Sequence, residues 1–464
     1  MKHALADDTI VAISTPVGEG GIGIVRLSGG DAIDIAKKIF ISKTKKDISR
    51  SKTYTIHYGH AVDNKKKIID EVILSVMKSP KSYTREDIVE INCHSGIVPL
   101  KKILNLALIS GARLAEPGEF TKRAFLNGRV DILQAESVLD VIKAKTELSL
   151  KAALNNLEGH FSKKVNVIRD ELLDALSDLE ACIDFSEEDI LRKNKKNILG
   201  RLKSTARDIN KLIKTGDQGK ILRQGIRTVI CGSPNVGKSS LMNALLKESR
   251  AIVTHIPGTT RDTIEEFVNM KGLPIVLIDT AGINNTKCII EREGIKRSRV
   301  SIENADLILF LLDHSRKIKK SDLDIMKKII NKENLIVVIN KKDLKKKIDP
   351  SRVKIVLRNK NTVYVSALNM QGIDKLERMI EEKVFHGKAP SADFTSASND
   401  RQLSLLRHGL SDIDEAIAAL KKGVSLDCIS IYIRSAIEKI GELTGHTVTE
   451  SALDKIFSKF CIGK

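Results

Sequence analysis

Residues 226–239 read IRTVICGSPNVGKS, and this stretch decides the fold of the region around it. An apolar, β-branched run leads into a loop that ends in Lys238 and Ser239, and helix-forming residues 241–246 follow. A strand, a G-x-x-x-x-G-K-S loop and a helix in this order are typical of a phosphate-binding loop. Backbone N–H groups and the helix N-terminus can surround a phosphate, Lys238 can neutralise it, and Ser239 can bind Mg²⁺.

Two motifs downstream supply groups for the γ-phosphate and its metal. GTTRD at 258–262 offers the hydroxyl of Thr260 to Mg²⁺, in a loop that can order with the triphosphate. DTAG at 279–282 follows a predicted strand; Asp279 can hold Mg²⁺ through water, and the N–H of Gly282 can meet the γ-phosphate.

The base is predicted from NKKD at 340–343, which follows two predicted strands at 307–312 and 335–339. The carboxylate of Asp343 can accept hydrogen bonds from N1–H and N2–H₂ of guanine, whereas adenine offers no such pair of donors. The backbone of Ser366 and Ala367, after a further predicted strand, can support the base. We therefore expect the region to bind GTP rather than ATP.

The predicted GTP contacts come from all five motifs and from the segment before GTTRD. They are Asn235, Val236, Gly237, Lys238, Ser239, Ser240, Thr254, His255, Ile256, Pro257, Gly258, Thr259, Thr260, Asp279, Thr280, Ala281, Gly282, Asn340, Lys341, Asp343, Ser366 and Ala367.

The residue after DTAG is Ile283, where many GTPases have a glutamine that orients the attacking water. An isoleucine cannot orient water. Either the region hydrolyses GTP poorly without help, or another polar residue and a cation position the water and supply charge. Asn235 and Glu291 are the candidate residues. Alternatively, Glu291 is a solvent-facing residue of a helix without a catalytic role.

The composition sets the broader limits. A chain of 464 residues is long enough for several domains of about 100 to 200 residues each. Its net charge of +19 favours a polyanionic partner such as RNA, but the lysine runs lack interleaved aromatics, so charge alone leaves this open. Six scattered cysteines predict neither a zinc site nor disulfides. With no apolar signal or membrane-spanning stretch, we expect a soluble, cytoplasmic protein.

The periodicity predicts a multidomain chain: an α+β domain at 1–125, an α-helical domain at 126–221 and 386–464, and an inserted Ras-like α/β P-loop GTPase domain at 222–385. An apolar stripe from Phe161 to Ile183 predicts a long helix packed in a helical core. The glycines at 18–23 match a dinucleotide fingerprint, but a predicted strand follows where that motif needs a helix.

Four stretches outside the nucleotide motifs complete a resemblance over the full length. They are Gly18–Arg26, YTREDIVE at 83–90, PGEFTKRAFLNG at 117–128 and FCIGK at 460–464. With these stretches, the chain resembles the MnmE (TrmE) family of tRNA-modifying GTPases.

The resemblance implies a dimerising, tetrahydrofolate-binding N-terminal domain and a GTPase domain activated by K⁺-dependent pairing with its twin. By the same resemblance, Asn235, Thr254, Ile256 and Thr259 would bind K⁺, and Glu291 would orient water. Folate would be bound by Arg26, Glu90, Arg129 and Lys464, although many relatives have lysine at the position of Arg129. Cys461 would be a catalytic thiol or an inert tail cysteine.

The implied reaction adds an aminomethyl or carboxymethylaminomethyl group to C5 of the wobble uridine, U34, of certain tRNAs. The one-carbon unit would come from 5,10-methylene-tetrahydrofolate. The flavoprotein MnmG would be the partner of a homodimer of this chain, in a heterotetramer. A ribosome-assembly GTPase that only binds RNA is the alternative, although the sequence after residue 385 contains no recognisable RNA-binding module.

Overall fold

A computed structural model of the chain describes residues 8–184, 188–248, 265–270, 272–279, 305–349, 361–385 and 396–464, with the single residues 303 and 351. The chain divides into two compact units. The first comprises Met1–Leu139, Leu157–Ala206 and His408–Lys464, and the second comprises Asp140–Asn156 and Arg207–Arg407.

A seven-stranded sheet forms the N-terminal part of the first unit, in the order β3-β4-β5-β6-β2-β1-β7. The strands are β1 (Ile10–Ile13), β2 (Gly23–Ser28), β3 (Phe40–Ser42), β4 (Thr55–Val62), β5 (Ile68–Met77), β6 (Ile88–Cys93) and β7 (Arg113–Leu114). All neighbours are antiparallel except β1 and β7. The predicted α+β pattern is confirmed, and β2 after the glycines at 18–23 confirms that they do not form a dinucleotide loop.

Helices α1 (Ala32–Ile39) and α2 (Ile97–Ile109) share one apolar core with this sheet. Helix α2 begins at Ile97, directly after Gly96. Pro99 is compatible with that start because the first turn of a helix has N–H groups without intrahelical partners.

The other helices of the described residues follow the N-terminal sheet along the chain. They are α3 (Glu119–Leu126), α4 (Ile132–Lys143), α5 (Glu147–Leu157), α6 (His160–Asp184), α7 (Glu188–Gln224), α8 (Lys238–Glu248), α9 (Lys320–Ile329), α10 (Ile373–Phe385), α11 (Asp400–Lys422), α12 (Leu426–Thr444) and α13 (Glu450–Phe457). The predicted stripe lies on α6, which packs along α12. Its members from Phe161 to Leu179 are buried, but Ile183 is 37% exposed, so the prediction was wrong for that last position. Within the described residues, no helix combines the length and apolar character needed to cross a membrane.

A six-stranded sheet forms the centre of the second unit, in the order β13-β12-β11-β8-β10-β9. The strands are β8 (Ile226–Cys231), β9 (Glu265–Met270), β10 (Leu273–Asp279), β11 (Leu307–Asp313), β12 (Leu335–Asn340) and β13 (Thr362–Tyr364). Only β9 runs antiparallel to its neighbour. The loops after the parallel strands therefore leave from one edge, where an open α/β sheet places its ligand.

A buried ion network ties α3 to the N-terminal strands. The guanidinium of Arg123, whose side chain is 5% exposed, donates to the Asp8 carboxylate at 2.7 Å and to Glu119 at 3.0 Å, and lies 3.2 Å from Glu86. Burial tends to raise the pKa of Glu119, but hydrogen bonds from Arg113, a backbone N–H and Arg123 hold that pKa below its ordinary value. The network therefore keeps the carboxylates of Glu119 and Asp8 ionised, although Glu119 is buried.

Replacing Arg123 by methionine should destabilise the first unit by roughly 3–5 kcal/mol, because the substitution removes the buried guanidinium that pairs with Glu86 and that shares Asp8 and Glu119 with Arg113. Amide hydrogen exchange along α3 and β6 measures this loss locally. Lys122→Met is the matched control: Lys122 pairs with Asp454, whose side chain is 60% exposed, so that change should cost at most about 1 kcal/mol. Equal exchange rates in the two variants would contradict a stabilising role for the network.

Candidate functional site

The loop after β8 has the backbone conformation that a phosphate-binding loop needs. Asn235 and Gly237 have positive φ angles of 62° and 95°. At Gly237 a Cβ atom would lie 2.3 Å from the side-chain nitrogen of Asn340, so only glycine fits there. Val236 between them is fully buried and anchors the loop in the core of the sheet.

The side chain of Lys238 folds back over the phosphate-binding loop. The Nζ atom of Lys238 donates to the backbone oxygen of Gly232 at 3.0 Å and to that of Ser233 at 3.2 Å. Ser239 and Ser240 follow at the exposed start of α8. The site thus combines a held ammonium group, a helix N-terminus and accessible hydroxyl groups, which together suit a phosphate and its metal.

One buried side chain joins three of the predicted motifs. Asn340 ends β12 and is 2% exposed. Its Nδ2 atom donates to the backbone oxygen of Val236 at 3.0 Å, and its Oδ1 atom accepts from the backbone N–H of Ala367 at 3.0 Å. The phosphate loop, the base-reading motif and the Ser366–Ala367 loop are therefore fixed to one another.

The predicted base-reading carboxylate lies at the exposed surface of this edge. Asp343 accepts a hydrogen bond from the hydroxyl of buried Ser366, which itself accepts from the backbone N–H of Asn369 at 3.2 Å. The Asp343 carboxylate is thus oriented while remaining accessible. Sequence reasoning assigned Ser366 only a backbone role, and its hydroxyl is the missed contribution.

Asp313 is a site residue that the sequence reasoning missed entirely. It ends β11, and its carboxylate accepts from the Nζ atom of Lys341 at 2.7 Å. The same Nζ atom donates to the backbone oxygen of Asn235 at 2.8 Å. An acidic residue that ends the otherwise apolar run LILFLLD is a signal that could have placed it at the ligand edge.

Several predicted site residues lie outside the described part of the chain. They are Thr254, His255, Ile256, Pro257, Gly258, Thr259, Thr260, Thr280, Ala281, Gly282 and Glu291, together with Ile283. Asp279 is described only through its backbone, at the end of β10. Three of the four predicted K⁺ ligands and the predicted water-orienting residue are among these.

The predicted folate residues lie in the first unit. Arg26 and Glu90 face each other across β2 and β6, and their side chains form an ion pair at 2.7 Å. The guanidinium of Arg26 also donates to the backbone oxygen of Gly463 at 3.3 Å and lies over the ring of Phe120 at 5.7 Å. The end of the chain therefore contacts this pair directly.

The C-terminal residues pack against β1. Gly463 has a φ of 90°, and a Cβ atom there would lie 2.5 Å from the backbone oxygen of Ile13. The backbone N–H of Lys464 donates to the backbone oxygen of Cys461 at 3.3 Å, and Cys461 is exposed. Lys464 and Cys461 are thus held beside the Arg26–Glu90 pair by a tight turn that only glycine permits without strain.

Arg129 lies near a small cluster of buried apolar side chains, formed by Ile10, Ala12, Ala115 and Phe120. Its guanidinium lies over the ring of Tyr83 at 4.8 Å, and Tyr83 packs against the cluster that contains Phe120. Arg129 is exposed, so its charge remains available to an anionic ligand. Arg26 therefore contacts Phe120 of this cluster directly, and Arg129 contacts the cluster through Tyr83. Glu90 and the turn at 461–464 are joined to the cluster through Arg26.

The motifs at 83–90 and 117–128 interlock. The hydroxyl groups of Tyr83 and Thr121 are 2.9 Å apart, Arg85 donates to the backbone oxygen of Asn127 at 2.9 Å, and Asn127 donates to that of Thr84 at 2.7 Å. These contacts place Arg129, two residues after Asn127, beside Tyr83. The two motifs therefore hold each other in place around Tyr83.

Two protein-family descriptions match nearly the whole chain. The GTP-binding protein TrmE N-terminus matches residues 9–129, and the MnmE helical domain matches residues 132–461. The chain belongs to the MnmE family.

Curated members of the MnmE family align with the chain from end to end. Each of the following is named tRNA modification GTPase MnmE. The protein of Alkaliphilus oremlandii is 49% identical over 459 residues, covering 99% of both chains. That of Thermoanaerobacter pseudethanolicus is 49% identical and covers 98% of this chain and 99% of the relative. That of Bacillus subtilis is 47% identical over 460 residues and covers 98% of this chain and all of the relative.

Solved G-domain structures match a smaller part of this MnmE-family chain. The G domain of the T. maritima FeoB iron transporter is 28% identical and covers 34% of this chain and 96% of its own, with a TM-score of 0.27.

Replacing Asn340 by alanine should weaken GDP binding by at least about tenfold, because the change leaves the Val236 carbonyl and the Ala367 N–H unpaired in a buried site. Isothermal titration with GDP measures the affinity. Asn369→Ala, in the exposed turn of the neighbouring loop, keeps its backbone hydrogen bond and should bind GDP like the wild type. Unchanged GDP affinity in Asn340→Ala would show that the three loops do not depend on this amide.

Proposed function

We propose that this chain hydrolyses GTP at the edge of the six-stranded sheet and uses the hydrolysis in the modification of the wobble uridine of tRNA. The observation that carries the proposal is the amide of Asn340, which joins a phosphate-binding loop to a guanine-reading motif. Membership of a family whose curated relatives are named tRNA modification GTPases supports the second half.

The orientation of two side chains, those of Lys238 and Asp343, supports the binding of GTP. Lys238 would neutralise the phosphates, and Asp343, oriented by Ser366, would accept from the guanine N–H groups. Ser239 and Thr260 would bind Mg²⁺, which supplies charge neutralisation of the transferred phosphoryl group. The remaining GTP contacts proposed are those predicted from the five motifs and from the segment before GTTRD.

Water activation is proposed to depend on a second cation and on Glu291, because Ile283 cannot orient water. Asn235 is exposed and has its backbone tied to Lys341, which suits a ligand that must be placed accurately. It would bind K⁺ with Thr254, Ile256 and Thr259. Pairing of two G domains in a homodimer would complete this site, so that hydrolysis depends on the partner subunit.

The cluster around Phe120 is proposed to bind a tetrahydrofolate. Arg129 and Lys464 offer cationic groups to the carboxylates of its tail, and Glu90 can accept hydrogen bonds from its pterin ring. Arg26 holds Glu90 and the chain end in place. The 5,10-methylene derivative would supply the one-carbon unit for C5 of U34. Cys461 is an exposed thiol beside this cluster and is proposed as a participant, with an inert tail cysteine as the alternative.

The proposed partners are tRNA and the flavoprotein MnmG, the latter in a heterotetramer with a dimer of this chain. The excess of 78 basic over 59 acidic residues suits approach to tRNA. Relatives that align with at least 98% of the chain and share one name favour this function over a ribosome-assembly GTPase.

GTP hydrolysis should be several-fold faster in K⁺ than in Na⁺ at equal ionic strength, because Na⁺ is too small to replace K⁺ in the proposed site. Phosphate release with excess GTP measures the rate. Glu291→Ala should abolish hydrolysis and leave GTP affinity nearly unchanged. Equal rates in the two salts would reject the cation mechanism.

Cells that lack this protein should lose the C5 modification of wobble uridines. Mass analysis of nucleosides from purified tRNA tests this, with complementation by the wild-type chain and by Glu291→Ala as the matched pair. The wild type should restore the modified nucleosides and Glu291→Ala should not. Wobble-uridine profiles identical to those of the parent strain would reject the proposed role in tRNA modification.

A further inference from the structure

The nucleotide site contains a buried carboxylate that belongs to none of its phosphate- or base-reading motifs. Asp313 is 5% exposed and pairs in register with Asn340 on the neighbouring strand. Its Oδ1 atom accepts from the backbone N–H of Ser315 at 2.8 Å and from its hydroxyl at 2.6 Å. Its Oδ2 atom accepts from the Nζ atom of Lys341 at 2.7 Å. The two oxygens therefore serve two different neighbours.

Asp313 is charged in this environment. Burial acts to raise the pKa of the Asp313 carboxyl, but hydrogen bonds from Lys341 and from both groups of Ser315 outweigh burial and hold the pKa below its ordinary value. A buried charge of this kind is stable only while its partners stay in place. Lys341 is consequently held by a full ion pair, although its side chain is 32% exposed.

The same ammonium group restrains the phosphate loop. Lys341 also donates to the backbone oxygen of Asn235, and both residues have positive φ angles, 64° and 62°. Non-glycine residues rarely adopt this conformation, so surrounding contacts must maintain it. A single Nζ atom, itself fixed by Asp313, provides such a contact between the two loops.

We propose, on the basis of the function proposed above, that Asp313 is a positioning residue for guanine-nucleotide binding and for the K⁺ response. It would act through Lys341, which places both the base-reading motif and Asn235. Loss of its charge would let the Lys341 side chain turn towards solvent and would release the backbone of Asn235. Nucleotide affinity and the K⁺ to Na⁺ rate ratio would then fall together.

Alternatively, Asp313 has only a local role in the turn at Ser315. The two roles can be tested separately because each oxygen of Asp313 bonds a different neighbour. Asp313→Asn keeps an oxygen that can accept from Ser315, but it replaces the oxygen bound by Lys341 with an NH₂ group that repels an ammonium. Ser315→Ala removes only the hydroxyl bond on the other side. The first variant tests the link to Lys341, and the second is its matched control.

The experiment measures GDP affinity by titration in a double-mutant cycle of Asp313→Asn and Lys341→Met in the full-length chain. Asp313→Asn should weaken GDP binding about tenfold and lower the K⁺ to Na⁺ rate ratio, while Ser315→Ala stays within about twofold of the wild type. The double variant should bind no more weakly than Lys341→Met alone, because both changes break one link. Circular dichroism melting checks that each variant is folded, and Asp313→Ser replaces Asp313→Asn in the cycle if the latter is unfolded.

Wild-type affinity in Asp313→Asn, or additive losses in the double variant, would overturn the proposal. Losses of equal size in Asp313→Asn and Ser315→Ala would also overturn it in favour of the turn. A wild-type chain that binds no GDP would instead contradict the proposed function itself, so the two failures are distinguishable.

Discussion

The amide of Asn340 is the interaction on which the arrangement of the nucleotide site depends. It is buried at the end of a fully buried strand, and it satisfies one carbonyl of the phosphate loop and one N–H of the loop after β13. An apolar side chain at this position would leave both backbone groups without partners, and a charged one would be buried unpaired. The phosphate loop and the loop after β13 lie 104 and 27 residues from Asn340 along the chain, and both are bound to this one side chain.

Apolar strands make this arrangement possible because they bring polar residues to the same edge. Every residue of β11 and β12 is buried, and each strand ends in a polar residue, Asp313 or Asn340. The two end residues are paired in register, so they emerge side by side. A shift of the register by one residue would turn every side chain of the shifted strand to the opposite face and separate these groups. The apolar core thereby determines the geometry of the polar site.

Local patterns in the sequence predicted the phosphate loop, most strands of the second unit and the helical stripe, because glycine spacing and apolar periodicity act over a few residues. They did not predict β9, where EEFVNM carries polar residues in a strand at the sheet edge. They also missed Asp313, whose role depends on which strands become neighbours. The contact of Arg26 with Gly463 joins positions 437 residues apart. Before the fold was known, only the family resemblance grouped Arg26 with Lys464, the residue next to Gly463.

The interlock between residues 83–90 and 117–128 has a consequence for how this sequence can change over evolutionary time. Asn127 and Thr84 are joined through one side-chain amide, and Tyr83 meets Thr121 through paired hydroxyl groups. The Asn127 amide bonds the backbone at position 84 and tolerates any side chain there, whereas the bond between Tyr83 and Thr121 needs a polar side chain in each segment. Positions 83 and 121 should therefore vary together among descendants, as one inherited unit split across two places in the chain.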